Sequence, residues 1–257
     1  MKNKTFWIKI VLITLACSLI ATGSVFVIRE VQMKNWKNNP SVLPQDFTIT
    51  AHTGCVDTAD NSLESIQYGI DIGADIVEID LRFDGKIPVL AHDEKHIKGA
   101  VRFDAAMALV AQSPTLQVNI DIKDDAYLEE LNPIIDSYEL FQRVFFTGVR
   151  MDRVPLVKER CPLISFYLNC SFTRKQSKDV DYLTHFANQV ADIGALGINL
   201  SYKGLTKEVV DVFQNAELLV SVWTVDSNYN LLKILNLAPN NITTRRPDRL
   251  VKILQDY

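Results

Sequence analysis

Glu78, Asp80 and Arg82 stand two apart in the segment from Ile76 to Phe83, and Asn119, Asp121 and Lys123 repeat that spacing between Gln117 and Lys123. Residues two apart in a strand share a face. Each segment therefore has an apolar face (Val77, Ile79, Leu81; Val118, Ile120, Ile122) and a charged one. Buried charges without partners are costly, so the charged faces need an explanation. One is a structural ion-pair network such as Asp80–Lys123. The other is a ligand: Glu78, Asp80 and Asp121 supply three hard carboxylate donors, a set suited to Mg²⁺ or Ca²⁺, whereas no His/Cys group suggests zinc. Because both strands gather their charges near their C-terminal ends, the metal site is the expectation. His52 and His92 end two further strand segments. Imidazole titrates near neutrality, so two histidines at the rim of a carboxylate-lined mouth suit a general acid and a general base. His96 and His185 lack such a setting and are expected on the surface.

The elements that must carry these residues follow from hydropathy. Strand segments fall at 47–52, 76–83, 117–123, 143–148, 163–168, 196–200, 218–225 and 241–244, with a short one at 87–92 that follows the Asp84-Gly85 turn as a hairpin. Helical patterns lie between them at 62–72, 103–112, 125–138, 150–160, 177–192, 204–214, 227–235 and 247–255. Strict alternation implies a parallel sheet, and eight repeats favour closure into an α/β (β/α)8 TIM barrel. An open doubly wound sheet would usually bring a glycine-rich phosphate loop after its first strand; Ala51-His52-Thr53-Gly54-Cys55 is not one. In a barrel, chemistry belongs at the C-terminal ends of the strands, where the charged faces converge.

The chain has 257 residues, 47% hydrophobic and 23% charged, with a net charge of −4. Lys2, Lys4, Lys9, Arg29, Lys34 and Lys37 against Glu30 give the first 37 residues +5, so the remainder carries −9. That acidic balance argues against nucleic acid, whose phosphates need a basic footprint. From Ile10 to Ile28 no residue is charged, long enough for a single transmembrane helix after a short basic stretch at 1–9. A cleaved signal peptide ending near Ala21-Thr22-Gly23 is the alternative, but the apolar run continues through Ile28; Cys17 is a poor lipoprotein site. The expected organisation is an anchor at 10–28, a stalk at 29–44 and a barrel at 45–257, held at the cell membrane with the barrel on the outer side. Cys55, Cys161 and Cys170 have no metal-type spacing and imply no disulfide framework, a single Cys161–Cys170 bridge being the alternative.

Several of these residues sit in stretches that resemble the glycerophosphodiester phosphodiesterase family: Ile49-Thr50-Ala51-His52-Thr53-Gly54, Asp60-Asn61-Ser62, Gly73-Ala74-Asp75, Val77-Glu78-Ile79-Asp80, Asp84-Gly85 and Val89-Leu90-Ala91-His92-Asp93, followed by Asp121-Ile122-Lys123, Val222-Trp223-Thr224-Val225-Asp226 and Arg246-Pro247-Asp248. The resemblance spans roughly residues 47–250. It implies a (β/α)8 barrel that hydrolyses glycerophosphodiesters to an alcohol and glycerol 3-phosphate. It also implies a divalent cation held at Glu78, Asp80 and Asp121, His52 and His92 as acid and base, and Lys123 on the phosphate. The substrate is then a glycerophosphodiester or a phospholipid-derived small molecule. Trp223 is expected either to pack on the glycerol or to be an ordinary core aromatic, and Asn61 either to orient the His52 loop or only to form its turn.

Four departures stand out. Thr53 replaces the family's arginine beside the first histidine, Asp121 replaces a glutamate, Thr244 is followed by Arg245 rather than aspartate, and only 28 residues separate His92 from Asp121, too few for the family's inserted subdomain. Arg82 or Arg245 is expected to restore the cation that Thr53 lacks. The rival functions are a catalytically degenerate module that binds phosphodiesters and a lyase-type phospholipase that releases a cyclic phosphate.

Overall fold

Nine strands alternate with helices in the order that the hydropathy pattern requires: β1 (Thr48–Ala51), β2 (Ile76–Asp84), β3 (Ile87–Leu90), β4 (Gln117–Ile122), β5 (Val144–Val149), β6 (Ser165–Asn169), β7 (Gly197–Ser201), β8 (Leu219–Trp223) and β9 (Asn241–Thr244). The computed structural model describes residues 24–255. All strands but β3 are parallel, and the pairs Thr50–Ile76 and Ala51–Val77 join β1 to β2 and close the barrel. The hairpin strand β3 pairs antiparallel with the end of β2. Helices α2 (Leu63–Asp71), α3 (Phe103–Val110), α4 (Leu131–Ser137), α5 (Val154–Arg160), α6 (Val180–Asp192), α7 (Lys207–Asn215), α8 (Asn228–Leu235) and α9 (Pro247–Gln255) follow in turn, after a first helix, α1, over 24–38.

The alternation predicted for β2 and β4 holds. Val77, Ile79, Leu81, Val118, Ile120 and Ile122 are buried in one apolar layer with the helices. Inside the barrel, Ile76, Phe145 and Tyr167 form a separate apolar cluster. Polar residues occupy the rest of the interior and satisfy one another: Asn241 Nδ2 donates to Thr50 Oγ1 at 2.8 Å, Ser221 Oγ to Asn241 Oδ1 at 3.0 Å, and Thr147 Oγ1 to Asn119 Oδ1 at 2.7 Å.

Helices α4 and α5 start later than the predicted 125–138 and 150–160. Residues Leu128–Glu130 form a separate 3₁₀ turn, and Pro155 sits in the first turn of α5, where its missing N–H costs no hydrogen bond.

The predicted transmembrane segment is corrected in scope. Among the described residues no helix is long and apolar enough to cross a membrane; positions 10–23 of that segment lie outside the described residues. Its last five residues open α1, which continues through the predicted stalk. No helix breaker intervenes before Asn38-Asn39-Pro40, and the stalk is docked on the barrel: the Trp36 ring packs on Tyr229 at a 55° tilt with centroids 5.4 Å apart.

Gly148 makes one position in β5 intolerant. Its φ is +72°, the register between β5 and β6 shifts beside it, and a Cβ there would lie 2.4 Å from Asp121 Oδ1 and 2.7 Å from the Ile122 carbonyl. Gly148→Ala is expected to cost about 2–4 kcal/mol from left-handed strain plus overpacking, read as a lowered midpoint in urea. An unchanged midpoint would show that the strand end can relax around a methyl group.

Candidate active site

Because β2 and β4 are paired in register, Glu78 opposite Asn119 and Asp80 opposite Asp121, their inward carboxylates meet. One oxygen from each of Glu78, Asp80 and Asp121 lies within 4.8 Å of the others. Lys123 enters the same cluster, with Nζ 3.1 Å from Asp80 Oδ1 and 2.5 Å from Asp121 Oδ2. The ion-pair reading is thus partly realised, yet it does not balance. Three carboxylates face one ammonium, and Arg82, the cation of β2, is engaged instead by donating from Nε to the His92 carbonyl at 2.8 Å. Burial, then the neighbouring Asp80 and Asp121 charges, push the Glu78 carboxyl well above its usual range. Burial opposes the Lys123 ammonium, but Asp121 and Asp80 outweigh it and hold its pKa above that of an ordinary lysine. An excess of buried negative charge on hard oxygen donors fits a divalent cation.

Asn61 holds Asp80 in place: its Nδ2 donates to Asp80 Oδ2 at 2.8 Å, while its Oδ1 accepts from the Asp80 backbone N–H at 2.9 Å. Its expected role on the His52 loop is therefore extended to a metal-site carboxylate. The link to that loop runs through Thr53, whose hydroxyl accepts from the Asn61 backbone N–H and whose own N–H donates to Glu78 Oε2 at 3.0 Å. Thr53 is buried, so a loop-bracing hydroxyl occupies the position at which the sequence resemblance leads one to expect a cation.

His52 follows β1, with Nδ1 2.8 Å from the Thr53 carbonyl and 3.6 Å from Glu78 Oε2. A carbonyl only accepts, so Nδ1 carries the proton and Nε2 is left with its lone pair. Burial is the main cause that lowers the His52 pKa, which favours this neutral form. His92 lies two residues beyond β3 and is exposed, with Nδ1 3.1 Å from Asp93 Oδ1. His96 and His185 are exposed.

Both histidines, the three acids and Lys123 line one cavity of about 710 Å³ at the C-terminal ends of the strands, as do Arg82, Trp223 and Arg245. Of the two arginines expected to replace the missing cation, Arg82 spends its Nε on the His92 loop, and Arg245 is clamped by Asp60 at 2.7 Å. The Asp60–Arg245 pair crosses over Gly54, where a Cβ would lie 2.0 Å from Asp60 Oδ1. Trp223, 40% exposed, is a rim residue rather than a core aromatic. A second hollow of about 580 Å³ adjoins, sharing Asp80, His92, Asp93 and Arg245 with the first.

The far wall went unread in the sequence. It carries Arg150, Arg153, Asn169 and Asn199. Arg153 ties the ends of β4 and β5 by donating to the Ile122 and Gly148 carbonyls at 2.8 and 2.6 Å. Asn169 Oδ1 accepts from Gly148 N–H and from Asn199 Nδ2, while Asn199 Oδ1, buried, has no partner among the described residues. Their signal was the same inward alternation, in Leu168-Asn169 and Ile198-Asn199-Leu200, but a single asparagine per strand does not separate a wall from a core.

No family model matches the chain. A glycerophosphodiester phosphodiesterase of Bacillus altitudinis is 23% identical over 248 residues, 81% of this chain and 98% of that protein. Among solved structures, a glycerophosphodiester phosphodiesterase of Parabacteroides distasonis aligns with a TM-score of 0.69 at 18% identity, over 82% of this chain and 97% of that one. An Oleispira antarctica phosphodiesterase, in complex with the product sn-glycerol-3-phosphate, aligns with a TM-score of 0.66 at 17% identity, over 83% and 97%. The chain resembles the glycerophosphodiester phosphodiesterase family in sequence over four-fifths of its length, and it has the barrel fold of that family's solved members.

Proposed function

We propose that this protein is a phosphoric diester hydrolase that cleaves glycerophosphodiesters to an alcohol and glycerol 3-phosphate, with a divalent cation, Mg²⁺ or Ca²⁺, held by Glu78, Asp80 and Asp121. The observation that carries the reading is the convergence of those three carboxylates and two histidines on one cavity. The product-bound Oleispira relative supports the substrate class. When bound, the cation would supply Lewis-acid polarisation of a phosphoryl oxygen. The chain's own residues do the rest. Lys123 offsets negative charge on the phosphate, and Asn61 keeps Asp80 from rotating. Each histidine has Nδ1 committed, to a carbonyl or to a carboxylate, and so presents Nε2 for proton transfer: one takes the proton of the attacking group, which is water or the neighbouring glycerol hydroxyl with water then opening the cyclic phosphate, and the other returns one to the leaving alkoxide. Trp223 offers an apolar surface to the glycerol carbons, and Asn199 Oδ1 an acceptor for a hydroxyl. Arg245 and Arg82, held by Asp60 and the His92 carbonyl, stand at the rim with Arg150 and Arg153 as further cations for the phosphate. The finer organisation, proposed on the uncharged run from Ile10 to Ile28, is a membrane-anchored barrel on the outer face of the cell.

Hydrolysis of a panel of water-soluble glycerophosphodiesters, followed by phosphorus NMR with and without Mg²⁺ or Ca²⁺, tests the activity. Cation-dependent release of glycerol 3-phosphate is expected. A cyclic phosphate would install the lyase, and tight binding without turnover the degenerate module.

A further inference from the structure

We propose that the barrel mouth is applied to an anionic lipid surface, with the N-terminal end of α1 seated in it; this rests on the membrane attachment proposed above and not on the hydrolytic reading. The contacts of α1 and of the chain that follows it set the path of this segment. Tyr229 belongs to the first turn of α8, on the mouth side, because α8 follows β8 and the last residue of β8, Trp223, lines the cavity. The Tyr229 ring meets Trp36, lies 5.0 Å below the Arg29 guanidinium, and its hydroxyl donates to Gln32 Oε1 at 2.8 Å. Further along, Ser41 Oγ donates to the carbonyl of Asn236, just past the other end of α8, and Asp46 accepts from Asn240, just before β9 begins. The chain therefore descends beside α8 from the mouth to the opposite end of the barrel. Residues 24–28, the described ones ahead of Arg29, lie at the Tyr229 end of that path, on the mouth side.

Those residues are apolar on every side. Val25, Phe26, Val27 and Ile28 are consecutive, and each is at least half exposed, as is Val31. Successive residues are ~100° apart around a helix, so four in a row cover its circumference. A one-sided stripe would fit a groove on a partner protein, whereas an all-round apolar helix end fits hydrocarbon. The run continues without charge back to Ile10.

Charge on the neighbouring loops agrees. The segment between β6 and α6 carries exposed Arg174, Lys175 and Lys178, and the one between β7 and α7 carries exposed Lys203. Their one acid, Asp179, is used to cap α6 by accepting from the Tyr182 N–H. This is a cationic sector in an otherwise acidic barrel, and it follows β7, which pairs with β8, and β6, the next strand beyond it. Each such cation favours contact with anionic head groups by about fivefold.

The test is fluorescence quenching. Full-length chain carrying Trp7→Phe and Trp36→Phe, so that Trp223 alone emits, is reconstituted in phosphatidylcholine–phosphatidylglycerol vesicles containing lipid spin-labelled at the head group. Trp223 is expected to lose most of its emission. A chain whose single tryptophan comes from Val42→Trp, at the opposite end of the barrel, with Trp223→Phe, is expected to keep it. Charge reversal (Arg174→Glu, Lys175→Glu, Lys178→Glu, Lys203→Glu) should restore much of the Trp223 signal on these vesicles and leave hydrolysis of a water-soluble glycerophosphodiester unchanged. Quenching at position 42 equal to or above that at Trp223, absence of quenching at both, or indifference to charge reversal overturns the proposal. Quenching of Trp223 in a chain inactive on the soluble substrate would sink the hydrolase instead.

Discussion

His52→Ala and His92→Ala are each expected to lower kcat on a glycerophosphodiester by about 10²–10⁴, the contribution of a positioned acid or base. The loss should be in turnover more than in KM, because neither imidazole carries the charge that the phosphate seeks; Lys123 and the carboxylate-held cation do. Folding is not at issue. The His52 ring makes one hydrogen bond, to the Thr53 carbonyl, and the His92 side chain is exposed. Since the two act on one proton inventory, the double variant should fall well short of the product of the single losses. His185→Ala, on the outer face of α6, is the control and should turn over like the parent. Near-parental turnover in a folded His52→Ala or His92→Ala protein would withdraw that residue from the mechanism.

The second large effect concerns the carboxylates and is read in stability as well as activity. A cation that binds the folded state alone stabilises by about 2.7 kcal/mol at a hundredfold excess over Kd, which for a barrel of this size raises Tm by roughly 5–10 °C. Glu78→Gln should abolish both that rise and turnover. In the absence of cation the same variant should melt at or above the parent. Glu78 is buried beside two like charges, its folded pKa is raised above the ordinary 4.5, and the groups that favour its ionised form, the Thr53 N–H and Lys123, do not outweigh them. A raised carboxyl pKa means that folding favours the protonated form, so the stability present below the ordinary value is lost as pH rises through the folded one. The cation-free parent should therefore fall behind Glu78→Gln as pH rises above about 4.5. The glutamine keeps an oxygen for the Thr53 N–H and drops the charge. If instead the acids served only to pair Lys123, the parent would be indifferent to Mg²⁺, Ca²⁺ and chelator, and the variant would melt well below it. That pair of results would refute the metal site.

Much of this was legible in the residues alone. Eight apolar segments alternating with helical patterns specify a closed parallel barrel because each strand must bury one face and each connection must cross back over the sheet. The period of two in β2 and β4 put Glu78, Asp80, Asp121 and Lys123 inside, since a shift by one residue would have expelled Val77, Ile79 and Leu81 from the core. Such properties are set by neighbours in the chain. Which inward group meets which is not. Asn61 brackets Asp80 from 19 positions away, and Arg245 reaches Asp60 across 185; both depend on where closure of the barrel brings two loops. Arg82, inward by period, turns to the His92 carbonyl because the β2–β3 hairpin folds that loop within its reach. Thr53, a missing cation by its letter, is a buried brace between Asn61 and Glu78. Gly148 is bound to its identity by the approach of Asp121 and the Ile122 backbone, contacts that exist only once β4 and β5 are paired. Residue type and spacing decided which chemistry could assemble, and the long-range closure of the barrel decided which side chains hold the others in place.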